Sequence, residues 1–290
     1  MNKNPTGGSL EAGSREPPLA FVRHIHFSFG FFDDAMPPEV AAHVAKVRAD
    51  NPDFEITVWG PGESRALVAA HYPRLLPKYD AFAIPIQRSD ASRYAILHNL
   101  GGVYMDLDYD IKVPMRTLCE VAYGLQGGRT RAFVNETPNA TALRRRSSNS
   151  LMGAAAPGHP FWMFVMDAVS RGWGMTKHQR VLSSAGPQAV DRALMAWRRA
   201  HGGSMADVAL LPKEQFNPCS VCNRNALSTA KDPRVLAVHT NGGSWHTPAG
   251  SVVNTFYCDW PWVLAVLLLL VIAVTFIALW AKRVPVPGRQ

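Results

Sequence analysis

The sequence predicts an α/β protein with a mainly parallel sheet, followed by one long apolar helix. Three observations carry this. Short β-branched and aromatic runs alternate with helical stretches from residue 21 onward. The pair Gly101-Gly102 separates a long helical stretch from a strand. The 21 residues from Trp260 to Trp280 contain no charge.

The elements follow in order. Met1 to Pro18 is rich in Gly, Pro, Ser and charge and has no apolar centre, so 1–19 reads as a disordered leader and not a signal peptide. Phe21 to Phe27 reads as the first strand, and Pro38 to Asp50 as a helix with Pro in its first turn. Phe54 to Trp59 reads as the second strand, ended by Gly60-Pro61-Gly62. Glu63 to His71 is helical in pattern. Ser89 or Asp90 is expected to cap a helix running to Leu100, with Gly101-Gly102 as its stop. Val103 to Met105 is a short strand. Helices are expected over Pro160 to Arg171 and Pro187 to Ala200, and a late strand over Arg234 to His239. The whole of 20–255 is expected to form one domain.

Trp260 to Trp280 would span about 31 Å as a helix, against a hydrocarbon core of about 30 Å. Tryptophans stand at both ends, where aromatic rings favour the headgroup level, and Lys282 and Arg283 open a short basic tail over 281–290. A single-pass membrane helix is the expectation. Two rules for its orientation point opposite ways. The basic tail places the C-terminus in the cytoplasm, whereas the lack of an apolar N-terminal segment places the domain there. Asn135 and Asn139 each begin an N-x-Thr sequon, which matters only for a lumenal domain.

Composition excludes several classes. With 47% hydrophobic and 18% charged residues the chain has material for a core and is not wholly disordered. Four cysteines in 290 residues rule out a disulfide scaffold. Cys219 and Cys222 form a C-x-x-C, but no second pair completes a zinc site; a local disulfide and free thiols both stay open. The net charge is +8, yet it is joined to no nucleic-acid-binding motif, so no nucleic-acid partner is expected. Arg144-Arg145-Arg146 is a basic run in a Ser/Asn-rich loop, open to solvent or to anionic headgroups.

The chemistry points to Asp106-Leu107-Asp108-Tyr109-Asp110. In an extended segment the three carboxylates project to one side. Like charges so close repel, and the arrangement asks for a hard divalent cation such as Mn²⁺ or Mg²⁺. An EF-hand is excluded, because Ile111 and Thr117 stand where its Gly and Glu are required. The chain holds 14 Asp among 290 residues, so a bare Asp-x-Asp is expected almost once by chance and identifies nothing alone.

The surrounding block is more specific. Ser89, Asp90 and Arg93 on a helix are followed by Gly101, Gly102 and Tyr104, then by Asp106 and Asp108. This pattern resembles the DXD-type glycosyltransferases of the sugar-binding-region family, glycosyltransferase family 32, which includes initiating α-1,6-mannosyltransferases and mannosyl inositol phosphorylceramide synthases. More distantly it is similar to glucosyltransferase domains of clostridial toxins. Arg23 to Phe27, Asn51 to Trp59, Ala185-Gly186-Pro187 and Val238 to His246 extend the likeness over roughly residues 20–247.

The resemblance implies a GT-A-like fold and a membrane-anchored, retaining, metal-dependent transferase on the Golgi or another endomembrane. Its donor would be a nucleotide sugar, GDP-mannose first, and its acceptor a glycolipid or glycan such as inositol phosphorylceramide, beside membrane lipids. It further implies Asp108 as direct metal ligand and Asp106 as holder of the donor ribose or sugar, within reach of the metal; these two are the candidate catalytic residues. Asp90, Arg93 and Tyr104 would face the donor. His239 would be a metal ligand from a second segment. Ser244 and Trp245 would close over the diphosphate. No nucleophile is assigned. Two other readings share these motifs: a UDP-hexose-dependent transferase of the same fold, and an inactive membrane-anchored protein that binds sugar nucleotides.

Overall fold

A computed structural model of the 290-residue chain describes residues 20–32, 35–138, 146–219, 231–240 and 264–277. The leader, the basic run at Arg144 and Arg145, Cys222, Asn139, Ser244 and Trp245 lie outside the described residues.

Six strands form the central sheet: β1 (His24–Ser28), β2 (Glu55–Trp59), β3 (Gly102–Met105), β5 (Ala132–Glu136), β6 (Ser147–Ala154) and β7 (Val208–Leu211), in the order β2-β1-β3-β6-β5-β7. β1 is parallel to β2 and β3, and β5 is parallel to β7. β6 pairs antiparallel with both β3 and β5, so it alone runs against the rest. The expected α/β class with a mainly parallel sheet is therefore present, with one reversed strand inside it.

Helices cover both faces of the central strands, so β3, β5 and β6 are almost wholly buried, whereas edge strand β2 holds no buried residue. Along β3, Val103 and Met105 point to one face and Tyr104 to the other, the two-residue period of a strand. One face packs on α1 (Pro38–Asp50) and α5 (Met115–Gly128) through Val44, Val47, Leu118 and Tyr123. The other packs on α2 (Pro61–His71), α4 (Pro85–Leu100), α6 (Phe161–Ala168) and α8 (Pro187–Ala200) through Leu67, Tyr94, Trp162 and Trp197. Shorter helices α3 (Leu76–Asp80), α7 (Lys177–Ser184) and α9 (Lys213–Phe216) complete the layers.

Several boundaries differ from the sequence reading. α4 begins at Pro85, five residues before Asp90, so neither Ser89 nor Asp90 is its cap. Ile84 is extended, Pro85 presets the first helical φ, and the Gln87 side chain accepts the Ile84 N–H at 3.1 Å. Asp90 sits in the helix interior instead. Gly101 does end α4, with φ +69, a value that L side chains adopt rarely. α6 stops at Ala168, short of Arg171. The late strand is β8 (Ala237–His239), and it joins a separate two-stranded sheet with β4 (Tyr109–Ile111).

Residues 264–277 are helical and their side chains are exposed, from Leu264 to Ile277. Among the described residues no helix is long and apolar enough to cross a membrane. The expected span of 260–280 extends beyond the described part of that helix at both ends.

Candidate active site

The site forms where β3 ends. Parallel strands gather ligand-binding positions at their carboxyl ends. β3 finishes at Met105, and the chain turns through Asp106, Leu107 and Asp108 into β4. Because β6 runs in reverse, its first residues, Ser147 to Ser150, lie beside the end of β3, with Met105 opposite Leu151. The Asp106 N–H donates to the Ser150 carbonyl at 2.8 Å and anchors the turn.

β8 then brings a distant residue to the turn. It pairs antiparallel with β4, and His239 lies opposite Tyr109 in the register. Beyond it, the Thr240 N–H and hydroxyl both donate to the Asp108 carbonyl, at 2.8 and 2.9 Å. His239 Nε2 lies 2.9 Å from Asp108 Oδ1 and 4.0 Å from Asp106 Oδ2. Asp106, Asp108 and His239 present one ligand atom each, all within 4.8 Å of one another. Two carboxylates and one imidazole, each only partly exposed, fit a divalent cation.

Asp90 and Arg93 lie behind this cluster, three residues apart on α4 and therefore on one face. Arg93 Nη2 is 2.9 Å from Asp90 Oδ1, and Nη1 donates to Asp106 Oδ1 at 3.1 Å and to the Asn149 carbonyl at 2.7 Å. Its guanidinium carbon stands 4.5 Å from the centroid of the Tyr104 ring. The Tyr104 hydroxyl also donates to Asp106 Oδ1, at 3.0 Å. One buried cation thus joins a buried carboxylate to one at the rim.

The electrostatics follow from that burial. Desolvation works against the Arg93 charge, but Tyr104, Asp106 and Asp90 together outweigh it and hold the guanidinium protonated. Burial pushes the Asp90 carboxyl upward; Arg93 opposes this and Asp106 adds to it. Burial likewise raises Asp106, with Arg93 pulling against it and Asp108 reinforcing it.

Five of the expected site residues therefore come together with His239: Asp90, Arg93, Tyr104, Asp106 and Asp108. Asp110 faces away and pairs with Lys112. Three neighbours escaped the sequence reading. Asn149 donates to Asp90 Oδ1 at 2.9 Å and to the Tyr94 hydroxyl at 3.2 Å. Tyr109 is buried beneath the turn, and its hydroxyl accepts from Asn135 Nδ2 at 2.9 Å. Thr240 is the third. The available signal was Ser147-Ser148-Asn149-Ser150, a polar run leading into the apolar Leu151-Met152. Asn135, the first sequon, is wholly buried in β5, and its Oδ1 accepts the Leu151 N–H, so the folded chain offers it no place for a glycan.

Residues 37–123 match the family described as the glycosyltransferase sugar-binding region containing the DXD motif. That stretch runs from α1 into α5 and contains α4, β3 and both acids, and the resemblance drawn from the sequence holds. The chain is 25% identical over 262 residues to the mannosyl phosphorylinositol ceramide synthase CSH1 of Saccharomyces cerevisiae, covering 87% of this chain and 60% of that protein. It is 32% identical over 152 residues to inositol phosphoceramide mannosyltransferase 3 of Schizosaccharomyces pombe, covering 51% of this chain and 38% of that one. The chain thus spans between about two fifths and three fifths of the length of these two relatives. Among solved structures, the galactosyltransferase LgtC aligns over 81% of this chain and 95% of its own, at 13% identity and a TM-score of 0.40.

Proposed function

We propose that the chain is a membrane-anchored, metal-dependent, retaining glycosyltransferase that moves mannose from GDP-mannose to a glycolipid of the inositol phosphorylceramide class. The observation that carries this reading is the assembly of Asp106, Asp108 and His239 from two distant segments, backed by the buried Asp90–Arg93 pair. The transferred mannose and the acceptor follow the relatives' names, which specify inositol phosphoceramide mannosyl transfer, and GDP-mannose is the donor that the family resemblance implies.

Asp108 and His239 are the residues that would hold the metal, with Asp106 at its edge. Carboxylate oxygens suit Mn²⁺ and Mg²⁺, and the added imidazole favours Mn²⁺. Such an ion, when bound, neutralises charge that develops on the departing nucleoside diphosphate. Arg93 has its charge held by three neighbours, so it favours the ionised form of Asp106 against burial and orients that carboxylate. Asp90 accepts donor-sugar hydroxyls, and Asn149 holds one of its oxygens in place. Ser244 and Trp245, which lie outside the described residues, would serve the diphosphate on the same family resemblance. The apolar run 260–280 anchors the domain to an endomembrane, such as the Golgi, close to a lipid acceptor.

The test is nucleoside diphosphate release by the detergent-solubilised full chain. GDP-mannose, UDP-glucose and UDP-galactose are offered in turn, each with Mn²⁺ or a chelator and with inositol phosphorylceramide as acceptor. Release from GDP-mannose is expected, abolished by chelation and reduced about 10²- to 10³-fold by Asp108→Ala. Preference for a UDP-sugar would overturn the donor assignment, and chelator-insensitive release would overturn the metal.

A further inference from the structure

A second surface stands apart from the acidic turn. Between α6 and α7 the chain reads Ser170-Arg171-Gly172-Trp173-Gly174-Met175-Thr176. Trp173 is 65% exposed and Met175 94% exposed. Large apolar side chains standing this far into solvent mark interaction surfaces when something holds them there.

The loop holds them firmly. The Trp173 N–H donates to Ser183 Oγ at 2.7 Å, and that hydroxyl lies 2.8 Å from the Trp173 carbonyl. The Met175 N–H donates to Gln179 Oε1 at 3.0 Å, and the Thr176 hydroxyl caps α7 by accepting the Gln179 N–H. Gly172 and Gly174 flank Trp173 at φ +81 and +121. A Cβ on Gly172 would meet the Arg180 carbonyl at 2.5 Å, and one on Gly174 would meet Gln179 Cβ at 2.4 Å. The backbone is thus folded tightly onto α7 while the Trp173 and Met175 side chains face outward.

Along the segment itself the charge has one sign. From Ala168 to Val190 there is no Asp or Glu, while Arg171, Lys177 and Arg180 are all exposed. Among the described residues none of these three is in an ion pair. An exposed indole and thioether flanked in the chain by exposed cations match the interface of an anionic bilayer, where tryptophan settles at headgroup level and Lys and Arg meet negative lipid.

The loop is also wired to the candidate site. Ser184, next to Ser183, accepts a hydrogen bond from Gln87 Nε2 at 2.8 Å, and Gln87 lies on α4 one turn before Asp90. The Tyr94 hydroxyl on the same helix donates to the Ala185 carbonyl.

We propose that residues 171–180 form a membrane-docking surface: Trp173 and Met175 enter the headgroup region of an anionic phospholipid bilayer while Arg171, Lys177 and Arg180 engage its negative charge. Through α7 this docking fixes how α4 and its Asp90–Arg93 pair face the bilayer. The proposal rests on the membrane-anchored reading for the presence of a bilayer beside the domain.

The test uses the full chain in nanodiscs of phosphatidylcholine with and without phosphatidylserine. Retention in the discs reports the anchor. Quenching by brominated lipid, compared between the native chain and Trp173→Phe, isolates the Trp173 signal. That signal is expected to be quenched in phosphatidylserine discs, with association of the loop weakened roughly fivefold for each of Arg171→Gln, Lys177→Gln and Arg180→Gln. A retained chain with an unquenched Trp173 overturns the proposal and leaves the anchor standing. If the chain elutes free of discs, the anchor fails. Flotation with phosphatidylserine vesicles then decides the loop: association lost in Trp173→Ala supports it, and no association overturns it. Amide protection of 171–177 that rises with protein concentration in lipid-free detergent would make the face a protein contact and overturn the proposal.

Discussion

Tyr109 and His239 lie opposite each other across the β4–β8 pair, 130 positions apart in the chain, with ring centroids 4.8 Å apart. The tyrosine is buried and hydrogen-bonded to Asn135, so it forms a fixed floor for an imidazole that also contacts Asp108. A residue supporting a ligand in this way sets its direction without touching substrate.

Tyr109→Ala is expected to cost about 3–5 kcal/mol of stability, as removal of a buried ring does. Tyr109→Phe is expected to cost about 1–3 kcal/mol, because the Asn135 amide loses an acceptor. Urea unfolding measures both. Mn²⁺ titration of the variants should show weaker binding in Tyr109→Ala than in Tyr109→Phe; equal affinities would show that the ring does not position His239.

Arg93→Met removes the partner of a buried carboxylate. Asp90 then keeps the Asn149 hydrogen bond but faces Asp106 with no cation between them, and the expected loss is about 3–5 kcal/mol. Arg93→Lys retains the charge but cannot reach Asp90, Asp106 and the Asn149 carbonyl together. It should fold, yet lose turnover more than it loses metal affinity. Full turnover in Arg93→Lys would reduce Arg93 to a point charge.

His26 on β1 is fully buried; Nε2 donates to the Gly101 carbonyl at 2.9 Å, and Nδ1 accepts from the Trp59 indole at 3.3 Å. Desolvation, helped by His24, lowers it from 6.5 to about 3. Between those values the unfolded chain binds a proton that the folded chain refuses. The stability from this residue is therefore complete above pH 6.5 and declines as pH falls, by up to about 1.4 kcal/mol per unit. Unfolding midpoints at pH 7.5 and 5 should differ less in His26→Gln than in the native chain; an unchanged difference would assign the acid sensitivity elsewhere.

The buried Asn135 makes a further prediction. On expression through a secretory pathway, peptide mapping should find no glycan at this sequon, whichever side of the membrane the domain occupies. A glycan there would require β5 to be open when the transferase acts.

The sequence by itself determined the local and the chemical. Alternation of apolar runs specified the α/β class, and Asp90, Arg93, Tyr104, Asp106 and Asp108 were legible because they fall within twenty residues of one another. Spacing of three along a helix suffices to place Asp90 and Arg93 on one face, but Asp106 and Asp108 meet through a turn and not, as the spacing suggests, along an extended chain. Tertiary structure decided what long-range pairing alone can fix. The reversal of β6 brings Asn149 to Asp90, and the pairing of β8 with β4 sets His239 beside Asp108 and over Tyr109. It also moved Asp90 from an expected cap into the interior of α4, where Pro85 and Gln87 had already started the helix. Such contacts depend on burial and register, and neither is written in the spacing of neighbouring residues.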